Sequence, residues 1–240
     1  ADSAGLKDVF IHAFTDGRDT DPKSGKGFIE NLEAKTANIS AELVSVIGRY
    51  YAMDRDKRWE RVQLAYDLLV NSKGHKSTDL SASINESYAN GITDEFIKPI
   101  TKVDENGESI ASIKEGDLVI CFNFRTDRCR EITSVLTQVN MPEYNMAKLN
   151  LNYVTMTMYD QSFKGIPVLF YKNNLQNTLG EILSTNGKTQ TRIALHSDKV
   201  VSIESPVPGR APHTHTHNQT NTHTHTHALG NSSGQCLPLD

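Results

Sequence analysis

Apolar positions along the chain fall into short continuous runs separated by segments with helical spacing. Val9 to Phe14 is an unbroken apolar run around His12 and predicts a buried strand. Lys26 to Ala41 follows with Phe28, Ile29, Leu32 and Ile39 apolar, which predicts a helix. Leu43 to Ile47 is the second strand. Asp54 to Val70 places Trp59, Val62, Tyr66 and Leu69 three and four residues apart, the signature of one helical face. A helix over Leu80 to Ala89 should stop at Asn90-Gly91. Asp117 to Phe122 is a third strand, Asp127 to Thr137 a helix and Leu151 to Met158 a fourth strand. Asn177 to Ser184 is a helix closed by Asn186-Gly187, and Thr191 to Leu195 a last strand. Alternating strands and helices predict an α/β fold, a three-layer sheet with helices on both faces.

Composition divides the chain near residue 205. All but one of the 25 basic and all but one of the 29 acidic residues precede that point, as do every aromatic, Ile and Met. Residues 206–240 therefore lack the apolar side chains for a core and are expected to be a disordered C-terminal tail, with residues 1–205 as the folded part. The tail holds six histidines between His213 and His227, mostly alternating with Thr. Imidazoles on a flexible chain can gather around Zn or Ni. A repeated CA dinucleotide would also be translated as this alternation, and that reading needs no metal role.

Charge and cysteine content narrow the function classes. A formal net charge of -4 supplies no bulk field for a polyanion, so neither nucleic acid nor an anionic membrane is an expected partner. No apolar run approaches the roughly 18 residues of a membrane span, and the first residues lack signal-peptide order. Cys121, Cys129 and Cys236 are an odd, sparse set, as in a reduced intracellular chain. Cys121 and Cys129 are expected to pack as small apolar residues, Trp59, Tyr50, Tyr51 and Tyr66 as core and crevice wall, and His75 to be solvated.

Arginines cluster at strand ends. The first strand runs into Asp16-Gly17-Arg18-Asp19-Thr20, the second into Gly48-Arg49 and on to Arg55, and the third into Arg125-Thr126-Asp127-Arg128. In open α/β sheets the carboxyl edge of the strands forms the ligand crevice. Were the three strands parallel neighbours, Arg18, Arg49, Arg55, Arg125 and Arg128 would converge there. Crowded guanidinium groups repel one another, and a multiply charged anion relieves that cost through bidentate, charge-assisted hydrogen bonds. Asp19 and Asp127 could orient the arginines or accept from a ligand hydroxyl. The implied ligand is small and anionic, with phosphate or carboxylate groups and hydroxyls. The bland alternative is a set of surface ion pairs with Asp54, Asp56 and Asp127, to which Arg58 and Arg61 are assigned.

These motifs carry a family resemblance. His12 to Thr20, Ile47 to Arg61 and Phe122 to Arg128, extended by Asn177 to Glu181 and Thr189 to Ala194, closely resemble the cofactor-independent phosphoglycerate mutases over roughly residues 6–194. The resemblance implies two α/β domains. A phosphatase domain holds two Mn²⁺ or Mg²⁺ ions and a serine that carries the phosphoryl group. A transferase domain binds the glycerate while 3-phosphoglycerate and 2-phosphoglycerate interconvert in glycolysis, with no requirement for 2,3-bisphosphoglycerate. The chain resembles most of the transferase domain. By motif, Arg18, Asp19, Arg49, Arg55, Arg125 and Arg128 would bind phosphoglycerate.

The family's serine motif and metal ligands have no counterpart in this text, so no catalytic or metal residue is assigned, and His12 does not take the role of the family's substrate-contacting histidine. Where the family continues with a Glu-Thr-Glu-Lys-Tyr type segment, Leu195-His196-Ser197-Asp198-Lys199-Val200 stands here, leaving Lys199 as the candidate phosphate-contacting lysine. The expectation is a cytoplasmic, monomeric chain without mutase activity of its own. The alternatives are a standalone phosphoglycerate-binding module and an inactive truncated product.

Overall fold

The computed structural model describes residues 2–171, 176–188, 191–196 and 199–204. Two compact units are present, Ala1–Asn173 and Asn174–Asp240.

The first unit opens with a parallel pair, β1 (Val9–Thr15) and β2 (Ala41–Gly48), connected through α1 (Gly25–Thr36). Their register slips between Ile11 and His12: Ile11 faces Leu43 but His12 faces Ser45, so Val44 is an extra residue on β2. A bulge of this kind rephases the alternation. Leu43 and Val46, three apart, consequently both join the cluster of Ile29, Leu80, Ile84, Ile97 and Ile100 on one side, while Ile47 points into the cluster on the other.

α1 ends five residues earlier than the periodicity predicts. Thr36 turns its hydroxyl back onto the Leu32 and Glu33 carbonyls at 3.1 and 3.2 Å, and Ala41 is already in β2. Of the four apolar residues assigned to that helix, only Ile29 is fully buried; Phe28 and Ile39 are exposed.

The helix expected over Asp54 to Val70 starts five residues late. Arg49–Ala52 forms a single turn, α2, and the main helix α3 spans Trp59–Asn71. Between them Asp54 accepts from the backbone N–H groups of Asp56 and Arg58 at 2.9 and 3.0 Å, and Lys57 adopts a left-handed φ of 58°. A side chain that bonds nearby backbone donors competes with helix propagation, which explains the late start. α3 buries Val62, Ala65, Tyr66, Leu68 and Leu69.

Two three-residue strands escape the sequence reading, β3 (His75–Ser77) and β4 (Ile100–Lys102), too short to show a period. They complete a four-stranded sheet of order β1-β2-β4-β3, with β4 antiparallel to β2 and parallel to β3. Between them α4 (Leu80–Ala89) ends at Asn90 as expected, and its start is capped by Asp79, which accepts from the Ala82 N–H at 2.9 Å.

β5 (Leu118–Cys121) and β6 (Asn152–Thr155) form a second, two-stranded parallel sheet joined through α5 (Arg130–Thr137). The third strand is therefore not hydrogen-bonded to the second, which corrects the single-sheet expectation. The two sheets share a core instead: Ile47, α3, α5, Met146, Tyr153 and Tyr159 pack together, with Val119 and Cys121 against them. Leu118 and Ile120, on the other face of β5, are exposed, so this apolar run is buried on one side only. α1 and α4 on one face of the four-stranded sheet and α3 and α5 on the other give the layered α/β fold.

In the second unit, α6 (Leu179–Thr185) begins with a capping box, Thr178 bonding the Glu181 N–H and Glu181 the Thr178 N–H, and is capped by Asn186 at its other end. β7 (Thr191–His196) and β8 (Lys199–Glu204) are an antiparallel pair in which Lys199 stands opposite His196. The second strand of this pair was not anticipated. The expected boundary near 205 and the His/Thr tail of residues 206–240 lie outside the described residues.

Candidate functional site

Three strand ends meet through side chains rather than through one continuous sheet. The first two are held by the turn Asp94–Phe96, which no sequence signal singles out. Asp94 is fully buried, takes the Gly25 N–H on its carboxylate at 2.7 Å and the Thr15 hydroxyl on its carbonyl at 2.7 Å. Gly48 donates to the Ile97 carbonyl at 2.8 Å. Backbone approaches this close require glycine. A Cβ at Gly17, where φ is 63°, would fall 2.6 Å from the Asp94 Cβ. The carboxyl ends of β1 and β2 are thus drawn onto one turn, and the loops leaving them are brought together.

Arg49, the first residue after β2, is the buried member of the cluster, 5% exposed. Its Nη1 bonds the carboxylates of Asp16 and of Asp19, the latter at 2.9 Å. Burial alone would lower the Arg49 pKa, but those two carboxylates hold it up. The hydrogen bond from Arg49, with help from Arg125 and Arg128, holds Asp19 below the usual carboxylate range.

From the third strand end, Asp127 collects three guanidinium groups: Arg55 at 2.9 Å, Arg125 at 3.5 Å and Arg128 at 4.0 Å. Arg125 also reaches Asp19 at 3.4 Å, which ties the first loop to the third. Burial tends to raise the Asp127 pKa; the Arg55 hydrogen bond and the charges of Arg125 and Arg128 outweigh it and bring it down. Arg128 shows the opposite balance. Burial, then the positive charges of Arg49 and Arg55, lower its pKa, and its buried Nε has no hydrogen-bond partner.

Five of the six motif residues, Asp19, Arg49, Arg55, Arg125 and Arg128, are thereby one connected cluster. Arg18 stands apart, well exposed and paired with Glu95 at 3.6 Å. Lys199 lies on β8 in the second unit. Of the bland assignments, Arg58 and Arg61 do pair with Asp54, at 3.7 Å each, and Arg61 also lies over the Tyr50 ring at 3.8 Å. His12 bonds the Ser45 hydroxyl at 2.7 Å, and burial lowers its pKa to about 4, so it is uncharged at neutral pH. Sequence reasoning missed Asp16, an Arg49 partner, although it sits inside the quoted motif. It also missed the buried Glu131 beside the Arg55 loop, which accepts from the Lys57 N–H at 2.8 Å.

Four guanidinium groups, Arg49, Arg55, Arg125 and Arg128, face three carboxylates, Asp16, Asp19 and Asp127. Cationic groups are in excess, and the buried Nε of one of them, Arg128, has no hydrogen-bond partner, with Asp127 4.0 Å away. Such a group is costly unless an anion completes it, because desolvation removes its water without replacing it.

Residues 1–161 match the family model described as BPG-independent PGAM N-terminus. The chain belongs to this family. Among its relatives are the 2,3-bisphosphoglycerate-independent phosphoglycerate mutases of Flavobacterium psychrophilum, 60% identical over 194 residues, and of Bacteroides fragilis, 58% identical over 190 residues. The first alignment covers 81% of this chain and 38% of the relative, the second 79% and 37%. The chain thus spans under two fifths of the length of these phosphoglycerate mutases. A crystal structure of Leishmania mexicana phosphoglycerate mutase at low cobalt concentration superposes with a TM-score of 0.66 at 27% identity, covering 77% of this chain and 36% of that one.

Among the described residues, the two metal ions implied by the family resemblance find no fitting site. Among the described residues no group of three or more His, Cys, Asp and Glu could hold a metal ion. Nor is any described helix long and apolar enough to cross a membrane.

Proposed function

We propose that the arginine cluster binds the phosphate and carboxylate groups of 3-phosphoglycerate and 2-phosphoglycerate, as the substrate-holding part of a phosphoglycerate mutase. The observation that carries this reading is the buried Nε of Arg128, which has no hydrogen-bond partner, in a cluster that already holds more guanidinium groups than carboxylates. The names of the relatives supply the substrate class.

In this reading Arg49 is the fixed element, locked by Asp16 and Asp19. Arg55, Arg125 and Arg128 exchange part of their hold on Asp127 for phosphoryl oxygens, which accept bidentate, charge-assisted hydrogen bonds. Asp19, on the exposed rim, accepts from a glycerate hydroxyl and orients the three-carbon chain. The contribution of these residues is positioning and charge neutralisation, much of what a protein supplies to phosphoryl transfer. In the longer relatives a serine nucleophile and Mn²⁺ or Mg²⁺ ions would carry the phosphoryl group. A monomeric, cytoplasmic setting without a 2,3-bisphosphoglycerate requirement completes the reading.

Calorimetry and thermal unfolding of the 240-residue chain with millimolar 3-phosphoglycerate test it. Binding and a rise in Tm are expected, since a ligand that binds only the folded state stabilises by RT ln(1 + [L]/Kd). An Arg125→Ala, Arg128→Ala double variant should lose both. An unchanged Tm in the parent chain would leave the inactive-product alternative standing.

A further inference from the structure

The loop between α2 and α3 presents alternate residues to the segment that leads from β5 into α5. Met53, Arg55 and Lys57 meet Asn123, Asp127 and Glu131 in turn. The Asn123 amide donates to the Met53 sulfur at 3.9 Å, the Arg55 guanidinium to the Asp127 carboxylate at 2.9 Å, and the Lys57 N–H to Glu131 Oε1 at 2.8 Å. Asp54 faces its own loop instead, accepting from the Asp56 and Arg58 N–H groups and pairing with the Arg58 and Arg61 guanidinium groups. Arg55 is therefore fixed twice, by its own side chain and through the backbone two residues on.

The two holds respond differently to a ligand. Arg55 and Asp127 are both partly exposed, and an anion that takes the Arg55 guanidinium competes with Asp127 for it. Glu131 is enclosed, 7% exposed, in the first turn of α5. Its bond goes to a backbone N–H rather than to a guanidinium, so it persists when the ion pair is exchanged.

Neither end of that bond serves stability. Lys57 has a φ of 58°, which a residue with a side chain keeps only where its surroundings hold it. Glu131 Oε2 is buried without a hydrogen-bond partner, and an apolar side chain of similar volume would occupy the place at less cost. A held backbone and an unsatisfied carboxylate together, beside the arginine cluster, mark residues kept for position.

We propose that Glu131 is a positioning residue of the anion site: through the Lys57 N–H it holds the Arg55 loop on the start of α5, so that Arg55 stays in the cluster when Asp127 yields part of its hold to the ligand. Glu131 acts through Arg55 and does not itself touch the anion. The inference rests on the function proposed above for the cluster.

A glutamate in the first turn of a helix also faces the positive end of the helix dipole, a role that needs its charge and not its acceptor oxygen. Glu131→Gln keeps the acceptor and removes the charge. Glu131→Leu keeps the volume and removes both.

The test compares the 240-residue chain with these two variants at pH 7.5, by calorimetry with 3-phosphoglycerate, thermal unfolding, and hydrogen exchange at the Lys57 amide. Glu131→Gln is expected to match the parent chain in affinity and in Lys57 exchange. Glu131→Leu should unfold at the same or a higher Tm, yet exchange its Lys57 amide about tenfold faster and bind 3-phosphoglycerate about fivefold more weakly or worse. Affinity falling while stability holds is a result that a merely structural residue does not give. The proposal is overturned by a leucine variant that binds as the parent does, leaves Lys57 exchange unchanged or fails to fold, and equally by a glutamine variant that loses as much affinity as leucine. Should the parent chain itself not bind 3-phosphoglycerate, the proposed function fails, while the exchange comparison still decides whether Glu131 holds the loop.

Discussion

Arg49 and Asp19 leave the ends of two adjacent parallel strands, 30 residues apart in sequence, and meet at 2.9 Å, with the guanidinium buried and the carboxylate on the rim. The buried partner of such a pair sets its geometry and the exposed partner remains available to a ligand. Arg49→Ala is expected to weaken 3-phosphoglycerate binding at least tenfold, and Arg49→Lys to recover only part of it, since an ammonium keeps the charge without the planar fork. Titration calorimetry of the three proteins checks this order.

Arg128 and Arg18 offer a contrast within the same motif set. Arg128 is mostly enclosed and its Nε lacks an acceptor, whereas Arg18 is well exposed and paired with Glu95. Arg128→Ala should therefore reduce phosphoglycerate affinity by about tenfold or more and Arg18→Ala by no more than two- to threefold, because exposed pairs contribute little. Equal losses would show that Arg18 swings into the site.

Glu131 makes stability depend on pH. Burial first, then the neighbouring Asp54 and Asp56, raise its pKa to about 7, and one of its oxygens is buried without a partner. The folded chain thus favours the protonated form more than the unfolded chain does, where an ordinary glutamate titrates near 4.5. The stability from this group is complete below about 4.5 and is lost as pH rises through about 7. Glu131→Gln can still accept from the Lys57 N–H, and should flatten that decline. Urea unfolding of both proteins at pH 5.5 and 8.0 measures it.

Gly25 abuts the fully buried Asp94 so closely that a Cβ there would lie 2.5 Å from its carboxylate oxygen. Gly25→Ala should cost about 1–3 kcal/mol, the usual range for overpacking, and lower Tm by several degrees. Gly27→Ala in the same helix is the control: its Cβ would meet open space, and replacing a helical glycine should leave stability unchanged or slightly raised. Thermal unfolding of the pair separates a packing demand from a general intolerance of substitution in α1.

Much of the architecture was legible because it is local. The bounds of α4 follow from its capping Asp79 and the Asn90-Gly91 stop, and β1 from an apolar run with no competing signal. Other bounds failed where a side chain turned back onto its own backbone, as Thr36 does at the end of α1 and Asp54 ahead of α3. β3 and β4 hold three residues each, and no period can be read from so few.

The chain by itself determined which residues carry positive charge, that they follow strands, and which family the motifs resemble, because those properties reside in residue identity and short-range order. Tertiary structure decided how they meet. The loops are gathered by the buried Asp94 turn and by a core shared between two sheets, not by neighbouring strands of one sheet. It also decided that Arg49 is enclosed while Arg18 faces solvent. Burial and pairing between residues 30 to 106 positions apart depend on how the whole chain packs, and no local pattern encodes them.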